Sequence, residues 1–115
     1  MEADKYKKAW DNRRHLEEEM LRLRRIRLME KVKECAVAIK RIGGKRVVLF
    51  GSLATGRFRR GSDVDIAVEG LSSKTYFKAI GLVEDILGDI PFDIVDMEET
   101  LPTVRQKIER EGILV

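Results

Sequence analysis

The sequence holds a single cysteine, Cys35, and a single histidine, His15. A lone cysteine excludes an internal disulfide and suits a reducing compartment, which points to the cytoplasm. One thiol and one imidazole are too few for zinc. Any metal chemistry therefore falls to carboxylates, which favour Mg²⁺ or Mn²⁺. Asn and Gln also occur once each, at Asn12 and Gln106, while Lys, Arg and Glu abound. That balance fits a protein from a hot environment. No apolar run reaches the roughly 18 residues of a membrane span, so no transmembrane helix is expected. The opening "MEADKYKKAWDNRRH" lacks both the apolar stretch and the cleavage pattern of a secretory signal.

Glycine and proline are missing from residues 4 to 42. What fills that stretch is Lys, Arg, Glu, Leu and Met, all good helix formers. Leu28, Val32, Cys35, Ile39 and Ile42 recur at alternating spacings of four and three, which makes one apolar stripe. A shorter stripe, Leu16, Met20 and Leu23, lies upstream. Gly43-Gly44 ends the pattern. One long helix is expected, with a break near Asn12 as an option. Its second half should pack on the domain. Its first half, with Tyr6 and Trp10, is left to project outward, to pair with a second copy or to dock a partner.

The 115 residues amount to about one domain. "RVVLF" between glycines reads as a buried strand, and "VDIAVEG" as a second. In the latter, Val64, Ile66 and Val68 share one face, and Asp63, Asp65 and Ala67 the other. Ser72-Ser73 offers an N-cap for a helix from about Lys74 to Leu87. Its expected buried face is Tyr76, Phe77, Ile80, Val83, Ile86 and Leu87. "PFDIVDM" is a third strand, Pro102 opens a closing helix through about Arg110, and "ILV" forms a last strand. The fold class is α/β (α+β) with a mixed sheet, divided as 1–44 N-terminal basic helix and 45–115 main domain.

Charge is unevenly placed. Residues 1–46 carry 15 Lys/Arg against 8 Asp/Glu, and the remainder 8 against 12. The basic half reads either as a solvated helix face or as a surface for nucleic acid or an acidic partner.

The chemistry concentrates in "FGSLATGRFRRGSDVDIAV". Gly51 and Ser52 directly follow the first strand. A glycine there lets the backbone approach a ligand, and the serine offers a hydroxyl and an N–H, a geometry suited to phosphate. The stretch is neither a GxxxxGK[ST] P-loop nor a GxGxxG fingerprint. Asp63 and Asp65 lie on the same side of their strand. Two adjacent carboxylates repel unless a cation bridges them or one is protonated. Mg²⁺ is a natural bridge, since it takes one or two carboxylates plus substrate phosphates. The plainer alternative is a turn in which Asp63 caps the backbone. Asp93, between Phe92 and Ile94, is an acid in mid-strand, where burial would be costly without a positive partner. Asp96 competes with it but sits near the strand end.

Ten residues separate Gly51-Ser52 from Asp63-Val64-Asp65. This GS-x10-DxD pattern, with "GSDVDIAV" and the downstream "FDIVD", resembles the polymerase-β-like nucleotidyltransferase superfamily. The resemblance covers roughly residues 45–115. The short length and the ending "KIEREGILV" look most like its minimal nucleotidyltransferases, often encoded beside a HEPN-domain protein. The resemblance implies that Asp63, Asp65 and Asp93 bind two Mg²⁺ ions, with Mn²⁺ as the alternative, and that Asp93 helps deprotonate the acceptor. It assigns nucleotide binding to Gly51, Ser52 and Ser62. Arg57, Arg59 and Arg60 read either as phosphate contacts or as a solvated basic loop. The implied reaction moves AMP from ATP to a hydroxyl on a partner, a HEPN-type toxin, with this chain as the antitoxin. Two other readings stay open: an antitoxin that only binds, and a nucleotidyltransferase acting on RNA or a small molecule.

Overall fold

The computed structural model describes residues 2–115; Met1, the first residue of the expected helical segment, lies outside them. Helix α1 runs unbroken over Glu2–Arg41, without the break allowed for near Asn12. Asn12 is a mild helix former at worst, and no glycine or proline accompanies it. Glu2 and Asp4 in the first turn and Lys40 and Arg41 in the last both suit the helix dipole. Strand β1 is Arg46–Phe50, α2 is Ser52–Thr55, β2 is Val64–Glu69 and α3 is Ser73–Leu87. Strand β3 is Phe92–Asp96, α4 is Pro102–Glu111 and β4 is Ile113–Leu114.

The four strands form one mixed sheet in the order β3-β2-β1-β4. β1 is antiparallel to β2 and β4, and β2 is parallel to β3 across the α3 crossover. Alternation sends Val47, Leu49, Val64, Ile66, Val68 and Ile94 to the face covered by α1 and α3. Val48 and Ala67 go to the other face, under α4, where they meet Met97 and Ile108. Ala67 is thus fully buried although it shares a face with Asp65. The Ser72 hydroxyl caps α3 by accepting from the Thr75 N–H at 3.3 Å. The buried face of α3 is Ala79, Val83 and Leu87. Phe77, expected inside, is 72 % exposed. The apolar positions of α3 wrap further round the helix than the sheet can cover, and Phe77 falls beyond that contact.

α1 belongs to the core only in its second half. Leu28, Val32, Cys35, Ala36 and Ile39 are buried, so residues 1–44 and 45–115 share one apolar interior. Burial pushes the Cys35 thiol up to about 11, helped by neighbouring Glu34, in keeping with a core cysteine. Three cations seat the helix. Lys40 Nζ donates to the Val115 carbonyl at 2.6 Å, Lys31 Nζ to that of Ile86 at 3.3 Å, and Arg25 Nε to that of Leu53 at 3.4 Å. Val115 sits beside Val47 at the start of β1, and Leu53 lies beyond its end. α1 therefore runs opposite to β1, and its first half projects past the end of the sheet where β1 meets α2. Tyr6, Trp10, Leu16, Met20 and Leu23 on this arm are 53–68 % exposed. His15 is exposed as well.

Candidate active site

The projecting arm overhangs the end of the sheet that gathers the candidate residues. Gly51 follows β1 with φ 75° and ψ −156°, a conformation open to glycine alone. A side chain here would land on the Asp65 carboxylate. So the β1–α2 loop and the acid of β2 touch, and glycine is what lets them. Ser52, half-buried, begins α2. The Thr55 N–H and hydroxyl both donate back to the Gly51 carbonyl, at 3.1 and 3.2 Å, which fixes the loop.

The loop from α2 to β2 is pinned by buried Phe58. Its last turn is closed by Ser62, not by Asp63. The Ser62 N–H donates to the Arg59 carbonyl, and the Ser62 hydroxyl accepts from the Arg59 N–H, both at 3.0 Å. Arg57, Arg59 and Arg60 are exposed around this turn. The Arg59 guanidinium donates to the Phe58 carbonyl at 3.2 Å.

Asp65 is the centre of the constellation. It pairs with Phe50 of β1 on one side and with Asp93 of β3 on the other, so both carboxylates leave the same face of the sheet. Burial pushes the Asp65 carboxyl above its ordinary value. Asp93 and then Asp63 add to the shift, and Lys107 on α4 partly opposes it. Asp65 therefore feels both of the other acids. Asp63 is exposed just ahead of β2. Asp93 is exposed too. The burial cost expected of it is absent, because β3 is an edge strand and α4 does not extend over its first residues. Asp96, the competitor, is half-buried and accepts from the Glu98 N–H at 3.0 Å, a local turn. It lies three residues further along β3.

Lys107 escapes a reading of the sequence. On a highly charged helix a lysine passes for solvated surface. The available signal was its place three residues after half-buried Val104 and next to buried Ile108, at the edge of the packed face, where it stays exposed. α4 is held there by Arg46, whose guanidinium contacts Glu69 at 2.8 Å and Glu109 at 2.6 Å. A groove of about 410 Å³ lies elsewhere, between Tyr76 and Phe77 of α3 and the end of β3. The carboxylates sit on an open surface instead.

Among the described residues, no group of three or more His, Cys, Asp or Glu side chains is placed to hold a metal ion. The donor set nevertheless suits a hard divalent cation. It consists of carboxylates alone, and Asp65 carries like-charge repulsion that such a cation would relieve.

The family described as "Polymerase beta, Nucleotidyltransferase" matches residues 30–115. The chain belongs to this nucleotidyltransferase family. Within it, the chain is similar to a protein described as a minimal nucleotidyltransferase, at 32 % identity and TM-score 0.58, over 84 % of this chain and 94 % of that one. A toxin–antitoxin complex with AMP-PNP shares the fold at 24 % identity and TM-score 0.58, over 70 % of this chain and 69 % of that one. A nucleotidyltransferase from Sulfolobus solfataricus shares it at 18 % identity and TM-score 0.52, covering 78 % and 80 %. No curated protein matches the sequence. No helix among the described residues is long and apolar enough to cross a membrane.

Proposed function

We propose that the chain transfers AMP from ATP to a hydroxyl group of a partner protein, a HEPN-type toxin, and so acts as its antitoxin. The observation that carries the reading is the meeting of Gly51, Asp65 and Asp93 at one end of the sheet, in a chain of the nucleotidyltransferase family. A toxin–antitoxin complex holding AMP-PNP has the same fold, which fits the nucleotide and the partner.

In this reading the backbone at Gly51 and Ser52 receives the triphosphate. Ser62 shapes the turn that delivers Asp63. Asp63, Asp65 and Asp93 would hold Mg²⁺ or Mn²⁺ together with phosphate oxygens, which complete a ligand set that the protein leaves open. The ions would supply charge neutralisation on the phosphate oxygens. The acceptor oxygen attacks the α-phosphorus, the bond from that phosphorus to the β-phosphate oxygen breaks, and pyrophosphate leaves. Asp93 takes the acceptor proton and passes it to solvent; its exposure leaves it within reach of an incoming hydroxyl. Lys107 favours the ionised form of Asp65. Catalysis is then positioning and electrostatics.

The test is to incubate the protein with labelled ATP, Mg²⁺ and the product of the adjacent gene. Label is expected on the partner. It should disappear with EDTA and fall at least a hundredfold in Asp63→Ala and Asp65→Ala, on the order of losing a main electrostatic contribution. Full labelling by either variant would overturn the assignment. Protection of the partner by the unlabelling variants would instead identify an antitoxin that only binds.

A further inference from the structure

The apolar side chains that the arm leaves in solvent have their complement on the same helix. In an α-helix, positions alternately four and three apart form one stripe. The stripe through Leu16, Met20 and Leu23 continues forward through Arg27, Glu30 and Glu34 to Val37. This is a different side of α1 from the one carrying Val32, Cys35 and Ile39 into the core. Glu30 is exposed and Val37 is 50 % exposed. Backward, the stripe reaches Arg13, Tyr6 and Glu2, all exposed.

This stripe is self-complementary when laid antiparallel on a second copy. With Met20 against Leu23 of the second copy, Leu16 lies along the aliphatic stem of its Arg27, Arg13 meets its Glu30 and Tyr6 meets its Val37. At the ends Glu2 meets Arg41. At the flank Glu17 faces Arg24. Two-fold symmetry makes each contact twice. Parallel pairing does the opposite and sets Arg13 on Arg13, Arg27 on Arg27 and Glu30 on Glu30. Charge thus selects both a partner and a direction.

We propose that α1 is an antiparallel dimerisation helix, and that the occupant of its exposed stripe is a second copy of this chain. The overlap runs the length of α1. Because each arm projects past the catalytic end of its own domain, the two catalytic ends face each other along the paired helices. The contacts are largely exposed ion pairs around a small apolar centre, so salt weakens the dimer.

Sedimentation of the whole chain over a concentration series, at low and high salt, tests this. A monomer–dimer equilibrium that shifts to monomer with salt is expected. Arg13→Glu and Glu30→Arg should each weaken it about tenfold, the effect of two exposed ion pairs turned repulsive. The double variant R13E/E30R should restore it. Direction is read by mild oxidation of Tyr6→Cys mixed with Val37→Cys, with buried Cys35 silent. A disulfide between the two variants is expected. A monomer at every concentration, a double variant as weak as the singles, or Tyr6→Cys linking mainly to itself would each overturn the proposal. So would a chain that stays monomeric and uses the arm only to capture another protein.

Discussion

At Asp65 the fold works against itself. Burial and two neighbouring carboxylates raise its pKa, so the native state binds a proton more readily than the unfolded chain does. Such a group costs stability above its folded pKa, and the cost fades as pH falls toward the ordinary value of 3.8. Asp65→Asn should therefore raise the melting temperature at pH 7 by a few degrees, on the order of 1 kcal/mol. The gain should vanish in acid, and nucleotidyl transfer should be lost throughout; melts at pH 7 and pH 3.5 beside the labelling assay check it. Gly51→Ala should do the reverse to stability. It adds left-handed backbone strain and a clash with the Asp65 carboxylate, together about 2 kcal/mol or more. Urea unfolding measures it, and ATP binding should fall with it.

At the scale of elements, α4 is seated by buried Ile108 and tied at its surface by the Arg46–Glu109 pair. Glu109, paired with that guanidinium, has its pKa lowered. A lowered carboxylate contributes stability above its unfolded value, and that contribution is lost as pH falls through the folded one. Acid should therefore loosen α4 before α1 or α3. Hydrogen exchange between pH 6 and pH 3 would show α4 amides losing protection first; simultaneous loss in all helices would contradict this. The strands themselves were readable beforehand. β1 and β2 are short apolar runs with glycine at their ends, and alternation assigned Val64 and Ile66 to the core. Alternation likewise set Asp65 on the face opposite Val64 and Ile66, whereas Asp63 lies just ahead of β2. What alternation does not encode is which strand lies at the edge. Asp93 looked like a buried acid and is a solvated one. Phe77 looked like core because hydrophobicity alone does not report how wide the covered face of α3 is. Lys107 was hidden because its neighbour Asp65 is distant in sequence.

At the scale of the whole molecule, the long dimension is 65 Å against 29 and 17 Å. α1 alone accounts for about 60 Å of it at 1.5 Å per residue. Buried residues of α1 begin at Leu28, so removing residues 2–20 should leave the domain folded, with a melting temperature within a few degrees of the intact chain. At high salt, where the intact chain is monomeric, small-angle scattering should show the radius of gyration dropping from 17.7 Å toward the ~13 Å of a compact domain of about 100 residues. Unfolding of the truncated chain would mean that the arm carries stability of its own.

The seat of α1 has one more consequence. Lys40, Lys31 and Arg25 all grip main-chain carbonyls, at Val115, Ile86 and Leu53. A main-chain oxygen is present whatever amino acid stands there. Exposed side chains of the domain can therefore drift through mutation without redirecting the helix, while the apolar contacts of Leu28, Val32 and Ile39 are kept. The aim of the arm relative to the catalytic end is built into the path of the backbone, and it would be inherited even as the surface around it is rewritten.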